Sequence, residues 1–81
     1  MALYRIEFAK RVRKDFKGLP KDDANRILKK IESLSHNPRP PDRKKLSSDE
    51  SHRIRIGNYR VIYDIKDDVL IVLVLRVRSR K

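Results

Sequence analysis

The sequence predicts a small α+β domain in which a pair of helices packs on one face of a mostly antiparallel, twisted sheet. Three observations carry this prediction. The first residues alternate between apolar and polar side chains, as a half-buried strand does. Two segments then repeat their apolar residues every three or four positions, as helices do. From residue 52 onward the alternation returns between turn signals, so the expected order is β-α-α-β-β-β-β.

The first strand and the first helix are predicted from a change in period. Residues 3–8 alternate, whereas the following apolar residues lie three or four positions apart, which predicts a short helix over residues 9–17. Gly18 is expected to end this helix in a left-handed conformation, which glycine adopts without steric cost. The residues expected to face the core are Tyr4, Ile6, Phe8, Val12, Phe16 and Leu19.

A second helix is predicted to start at Pro20, since proline is favoured in the first turn of a helix. Asp22 and Asp23 would then lie near the positive end of the helix dipole, and Pro38 would stop the helix. A proline-rich connector and a short edge strand at residues 44–46 are expected to follow. The apolar stripe of the helix comprises Ala24, Ile27, Leu28, Ile31 and Leu34.

A β-hairpin with Gly57-Asn58 as its turn is the most informative segment. A two-residue turn makes Arg55 face Arg60, and alternation places Arg53 on the same side. Arginines directly opposite each other repel, but their planar side chains bind phosphate oxygens two at a time. Two interpretations follow: a solvated face on which long side chains splay apart, and a phosphate-binding platform, which we favour. The opposite, core-facing side would hold Ile54, Ile56, Tyr59, Val61 and Tyr63.

The last strand carries Arg76, Arg78 and Arg80, which are spaced by two and share one face. A two-residue loop at Asp67-Asp68 would put them on the face opposite to the hairpin arginines. A three-residue loop over residues 66–68 would instead bring all six arginines to one side. We favour the three-residue loop, because it keeps arginines from being buried under the helices. The apolar run at residues 69–75 predicts a central strand.

Composition limits the possible functions. The 81 residues predict one domain over residues 1–81, and 22 Lys and Arg against 11 Asp and Glu give a net charge of +11. This charge favours nucleic acid, an anionic membrane or an acidic protein as the partner. No apolar run reaches the roughly 18 residues needed to span a membrane, so we expect no membrane-spanning segment, and of these three partners we do not expect the membrane. The chain has no cysteine, and its two histidines, His36 and His52, lack metal-ligand spacing, so neither a metal nor another cofactor is expected.

Three segments resemble the toxins of the RelE/ParE superfamily. They are the first strand followed by Phe16-Lys-Gly-Leu-Pro20, the run from His52 to Ile65, and the ending from Val72 to Arg80. The resemblance covers essentially the whole chain and implies a RelE-like fold. In the RelE branch it also implies a cytoplasmic, metal-independent endoribonuclease that cuts mRNA in the ribosomal decoding site. The partner implied is an acidic antitoxin similar to RelB.

The resemblance further implies roles for single residues. Arg60 would contact the scissile phosphate, and Arg80 would stabilise negative charge in the transition state. Arg53 and Arg55 complete the implied catalytic set. They lie where the family often has lysines, but arginine is a poor general base because it keeps its proton. The tyrosine or histidine that the family usually carries a few residues later has no match up to Lys81. The further residues expected to bind RNA are Lys44, Lys45, Arg76, Arg78 and Lys81.

Two other functions remain open at this point. A ParE-like toxin would inhibit DNA gyrase by binding it, without chemistry of its own. A non-catalytic RNA-binding domain would use the same arginines only for affinity. The short helices favour the RelE-like function, since ParE-like chains tend to have a longer helical pair.

Overall fold

Seven elements follow one another in the order that the sequence predicts. The computed structural model describes residues 3–41, 43–45 and 51–79. The elements are β1 (Arg5–Phe8), α1 (Lys10–Lys17), α2 (Lys21–Ser33), β2 (Lys44–Lys45), β3 (His52–Ile56), β4 (Tyr59–Lys66) and β5 (Ile71–Ser79). The predicted β-α-α-β-β-β-β order is therefore confirmed, and the predicted edge strand at residues 44–46 is present at its first two residues.

The strands form one five-stranded sheet in the order β1-β5-β4-β3-β2. β1 runs parallel to β5, and the other neighbours are antiparallel. The last strand is thus central, between β1 and β4, as its apolar run predicts. The two helices cover one face of this sheet, so the opposite face is left to other functions.

The hydrophobic core lies between the helices and the sheet. Tyr63, Ile54 and Val61 are fully buried, which confirms the predicted core face of the hairpin. Each large side chain buried in this way stabilises the fold by about 1.5–3 kcal/mol. Among the described residues, the buried apolar side chains are Val12, Ile27, Ile31, Leu34, Ile54, Val61, Tyr63, Val72, Val74 and Val77.

Two expectations about the first helix are wrong. Gly18 has φ −87° and ψ 1°, so it is not left-handed. The Leu19 N–H donates to the Phe16 carbonyl, and this tight turn leads directly to Pro20, the N-cap of α2. Phe8 is 47% exposed instead of buried, because β1 ends there and the Ala9 N–H, donating to the Val74 carbonyl, starts the turn into α1.

The link between β4 and β5 also differs from the prediction. Lys66 pairs with Ile71, so the loop has four residues and not three, and β5 begins after Leu70. A four-residue loop alone would turn the arginines of β5 towards the helices. A β-bulge at Leu75 reverses the alternation, since Tyr63 pairs with Val74 but Ile62 pairs with Arg76. The arginines of β5 therefore do lie on the face of Arg60, for a reason different from the predicted one.

Candidate functional site

Three arginines form a line across the sheet face that points away from the helices. Arg55 of β3 lies directly opposite Arg60 of β4, and Arg60 lies directly opposite Arg78 of β5. Side chains opposite each other in a ladder have Cβ atoms about 4.5–5.5 Å apart. We call Arg55, Arg60 and Arg78 the arginine row. The hairpin register predicted from the sequence is confirmed.

The arginine row has no acidic partner. Among the described residues, no carboxylate lies within ion-pair distance of its three guanidinium groups. Nε of Arg60 is buried and has no hydrogen-bond partner. Each cross-strand pair of like charges costs roughly 0.2–1 kcal/mol, and buried polar atoms are normally hydrogen-bonded. An anion bound on this row would remove both costs.

A second line of residues lies two positions further along the strands, about 7 Å away. Lys44 of β2 pairs with Arg53, Arg53 pairs with Ile62, and Ile62 pairs with Arg76. Arg53 is half-buried and, among the described residues, has no carboxylate partner. Arg76 differs, because its Nε lies 3.7 Å from Oδ2 of Asp15. The two lines together make a basic surface interrupted by one apolar side chain.

Asp15 of α1 is a residue that the sequence did not single out. Its side chain is only 15% exposed, and Oδ2 accepts a hydrogen bond of 2.9 Å from the Val77 N–H. Asp15 is the one acidic residue within α1. That isolation was the available signal, but a sequence does not tell which backbone amide such a carboxylate reaches.

The opposite end of the sheet also holds a cation, but a paired one. Arg39, in the connector after α2, binds both carboxylate oxygens of Asp67 at 3.2 and 2.8 Å. The Tyr4 hydroxyl donates to the same carboxylate. The Arg39 guanidinium and the Tyr4 hydroxyl lower the pKa of Asp67 from 3.8 to about 2. The same hydrogen bond raises the pKa of Tyr4. We call Tyr4, Arg39 and Asp67 the paired end.

His52 lies away from the arginine row. It is 7% exposed on the helix side of the sheet, and its ring stacks on Tyr63 with centroids 5.5 Å apart. The Tyr63 hydroxyl donates to the Pro38 carbonyl at 2.7 Å, which ties the connector to the sheet. His52 therefore packs in the core under the connector, although it is next to Arg53 in the sequence.

An apolar groove lies between α1 and α2, on the side opposite the arginine row. Its volume is about 790 Å³. Phe8 and Leu28 contribute exposed side chains, and the basic residues Lys10 and Arg13 form part of its lining. The remaining lining residues are Ala9, Val12, Phe16 and Ala24. The helical periodicity predicted a core-facing stripe here but not that part of it stays open.

Some predicted residues cannot be placed in the site. Arg80 and Lys81 lie outside the described residues, and Lys44 and Lys45 are described only by their backbone pairing with Arg53 and His52. Over residues 3–41, 43–45 and 51–79, no group of three or more histidine or acidic side chains could hold a metal ion. Within the same ranges, no helix has the length and apolar character needed to cross a membrane.

Comparisons with known proteins agree with this geometry. The sequence profile of the family described as ParE toxin of type II toxin-antitoxin system, parDE, matches residues 6–81. RelE1 of Methanocaldococcus jannaschii, described as a candidate toxin, is 37% identical over 82 residues, which cover 96% of this chain and 91% of that protein.

Two solved structures show the same fold over nearly the whole chain. The RelE–RelB complex of Pyrococcus horikoshii gives a TM-score of 0.86 at 31% identity, covering 96% of each chain. The RelBE2 toxin–antitoxin complex of Mycobacterium tuberculosis gives 0.87 at 28% identity, covering 98% of this chain and 100% of that chain. Profile, sequence and fold agree, and the chain therefore belongs to the RelE/ParE superfamily of type II toxins.

Proposed function

We propose that this toxin is a ribosome-dependent endoribonuclease that cuts mRNA with its arginine row. The observation that supports this most directly is the row itself: within the described part of the chain, Arg55, Arg60 and Arg78 lie opposite one another without a carboxylate, and the buried Nε of Arg60 has no hydrogen-bond partner. A phosphodiester supplies the missing negative charge and the missing acceptors. The RelE-family relatives support this function over other uses of a basic surface.

The reaction we propose is an internal transesterification. The 2′-oxygen of one nucleotide forms a bond to the adjacent phosphorus, and the bond from phosphorus to the 5′-oxygen of the next nucleotide breaks. The products are a 2′,3′-cyclic phosphate and a 5′-hydroxyl. Arg60 would bind the scissile phosphate, and Arg55, Arg78 and Arg80 would stabilise the charge of the pentavalent transition state. Arginine holds its proton too tightly to serve as the base, so that role is assigned to none of these residues.

The remaining basic residues would hold the RNA on either side of the cut. Arg53 and Lys44 lie in the neighbouring line, where they can meet a second phosphate of an extended strand. Lys81 would add a contact to the RNA backbone, whereas Lys45 pairs with His52 and so takes the register position of the other sheet face. Arg76 would contribute through the part of its charge that Asp15 leaves free. Such contacts fix the position of the RNA but carry no sequence information.

We also propose an acidic antitoxin, similar to RelB, as the partner that keeps the toxin silent in the cytoplasm. The apolar groove between α1 and α2 fits one face of an amphipathic helix, and Lys10 and Arg13 fit carboxylates beside it. The P. horikoshii and M. tuberculosis relatives were solved as toxin–antitoxin complexes. Occupation of the groove would stabilise the toxin by mass action.

The decisive experiment adds the purified protein to ribosomes programmed with a defined mRNA. We expect a cut within the codon in the decoding site and the two end groups given above, both mapped by primer extension and end-group analysis. With preassembled ribosomes whose Mg²⁺ is replaced by a polyamine, the cut should persist in EDTA, because the described residues offer no ligand set for a catalytic metal.

A supercoiling assay with DNA gyrase, run in parallel, tests the two alternative functions. Inhibition of gyrase with intact mRNA would assign the ParE-like function, and RNA binding without a cut would assign a non-catalytic domain.

A further inference from the structure

The C-terminal half of β5 is held in place by a residue outside the sheet. β1 pairs with β5 only as far as Val74, where Phe8 is the last paired residue. Beyond this point β5 has lost one of its two neighbouring strands, and it also contains the bulge at Leu75. Bulges and unpaired edges bend and loosen a strand. The segment that carries Arg76 and Arg78 therefore pairs with β4 alone.

Asp15 supplies the support that β1 does not. Its Oδ2 accepts the Val77 N–H at 2.9 Å, which satisfies a backbone donor beyond the end of β1. The same oxygen lies 3.7 Å from Nε of Arg76, which is within ion-pair distance but too long for a hydrogen bond, so one carboxylate binds a backbone amide and attracts the neighbouring guanidinium. Because α1 packs on β5 through the buried Val12, the carboxylate is attached to a rigid element.

The hydrogen bond from Val77 to Asp15 fixes the position of Arg78 relative to Arg60 in the arginine row. Val77 lies between Arg76 and Arg78, and it pairs with Val61 next to the Arg60–Arg78 pair. A shift of the Val77 backbone would move Arg78 away from Arg60, since the two residues share one rung of the ladder. Binding sites lose affinity when their contacts are misplaced by about 1 Å.

We infer that Asp15 is a positioning residue of the RNA-binding site: it touches no RNA, and it fixes the end of β5 so that Arg78 completes the arginine row. This inference rests on the proposed function, because it assumes that the row binds RNA. The inference predicts a change in RNA affinity that is opposite to the change expected from net charge alone. Removing an acid from a chain of net charge +11 should strengthen RNA binding by simple electrostatics. If Asp15 positions the row, its removal must weaken binding instead.

The test compares Asp15→Ala with Glu32→Ala. Glu32 is exposed near the end of α2 and makes no ion pair among the described residues, so both variants lose one negative charge. Binding is measured by fluorescence anisotropy with a short single-stranded 2′-O-methyl RNA, which the toxin cannot cut. We expect Asp15→Ala to bind about tenfold more weakly than wild type, the effect of one lost charge-assisted contact, and Glu32→Ala to bind as tightly or more tightly. Tighter binding by both variants would overturn the inference.

Amide exchange gives a readout that does not depend on RNA. In Asp15→Ala the Val77 amide should exchange faster, and the Nε–H signals of Arg60 and Arg78 should shift, while Glu32→Ala leaves both unchanged. If the wild type binds no free RNA, the two variants are compared by cleavage on programmed ribosomes, which also tests the proposed function, and these signals still decide whether Asp15 holds β5. If Asp15→Ala does not fold, Asp15→Asn is compared with Glu32→Gln: weaker RNA binding by Asp15→Asn supports the inference, and equal or tighter binding overturns it.

Discussion

The arginine row and the paired end hold cations at opposite ends of the same sheet, and they differ in whether a carboxylate pairs with the cation. At the paired end, Arg39 meets Asp67 through two hydrogen bonds, and Tyr4 adds a third to the same carboxylate. In the arginine row, Arg60 meets two other arginines and, among the described residues, no carboxylate. Both bring together residues from different elements of the fold, and the presence or absence of an acid distinguishes them.

The difference separates cations that hold the fold together from cations that are free to bind a ligand. Arg39 ties the connector to the β4–β5 turn, and its charge is already neutralised. Arg60 adds repulsion to the folded state and would gain most from an anion supplied from outside. Arg76 is intermediate, because it lies on the same sheet face as the arginine row but is 3.7 Å from Asp15. Net charge alone does not reveal this division.

The largest expected effect is the difference in cleavage rate between Arg60→Gln, in the arginine row, and Arg39→Gln, at the paired end. Arg60→Gln should slow mRNA cleavage on programmed ribosomes by about 10²–10³-fold, the usual cost of losing a group that stabilises transition-state charge. Its melting temperature should stay the same or rise, since repulsion within the row is relieved. Arg39→Gln should cut at the wild-type rate and melt at a lower temperature. Equal cleavage by the two variants would remove the distinction between the two ends.

Next in size is the loss of the Tyr63 hydroxyl, which ties the connector near the paired end. Tyr63→Phe leaves the buried Pro38 carbonyl without this donor, so the free energy of unfolding should fall by about 1–3 kcal/mol. Urea unfolding followed by circular dichroism measures this change. Cleavage per folded molecule should not change, and a variant that loses cleavage while keeping its stability would link the connector to the site directly.

A smaller effect is expected on the stability of the fold at acidic pH. In the folded protein the pKa of Asp67 is lowered to about 2, below its usual 3.8. The ionised form of Asp67 therefore stabilises the fold at any pH above about 4. This contribution disappears as the pH falls from about 4 towards 2. Melting temperatures recorded across this range should fall less steeply for Asp67→Asn than for wild type. Parallel curves for the two proteins would mean that the paired end adds nothing to stability.

The smallest effect is on the salt dependence of RNA binding. Each phosphate contact to a single strand contributes about 0.7 to the slope of log affinity against log salt. Arg78→Gln should lower that slope by about this amount, and Arg39→Gln should leave it unchanged. Titrations of a short single-stranded RNA over several NaCl concentrations give both slopes. A reduced slope for Arg39→Gln would place the paired end in contact with RNA.

Much of this architecture was predictable because period and turn chemistry are local properties of a sequence. The Gly57-Asn58 turn determined the register of β3 and β4, so the Arg55–Arg60 pair and the core face of Tyr63 followed from counting. The β-bulge at Leu75 could not be predicted, since it depends on how the two long strands pack under the helices. The partners of Asp15 and Arg39 were missed for the same reason: they lie 62 and 28 positions away in the sequence.

The bulge at Leu75 changes which residues of β5 face the core: the even-numbered residues do so before it, and the odd-numbered residues after it. Before it, even-numbered residues such as Val72 and Val74 point into the core; after it, Val77 takes over this role and the even-numbered arginines point outward. A strand that alternated regularly through Leu75 would exchange the buried and exposed sides of everything that follows and bring Arg76 and Arg78 under the helices, whereas deletion of Leu75 would leave Val74 opposite Tyr63 and Arg76 opposite Ile62 and keep the arginines outward. Two residues can be lost from the β4–β5 loop without such an exchange, because an even change preserves the alternation. Related chains should accordingly vary in the length of that loop by even steps, and should keep the bulge at a constant distance from the arginines.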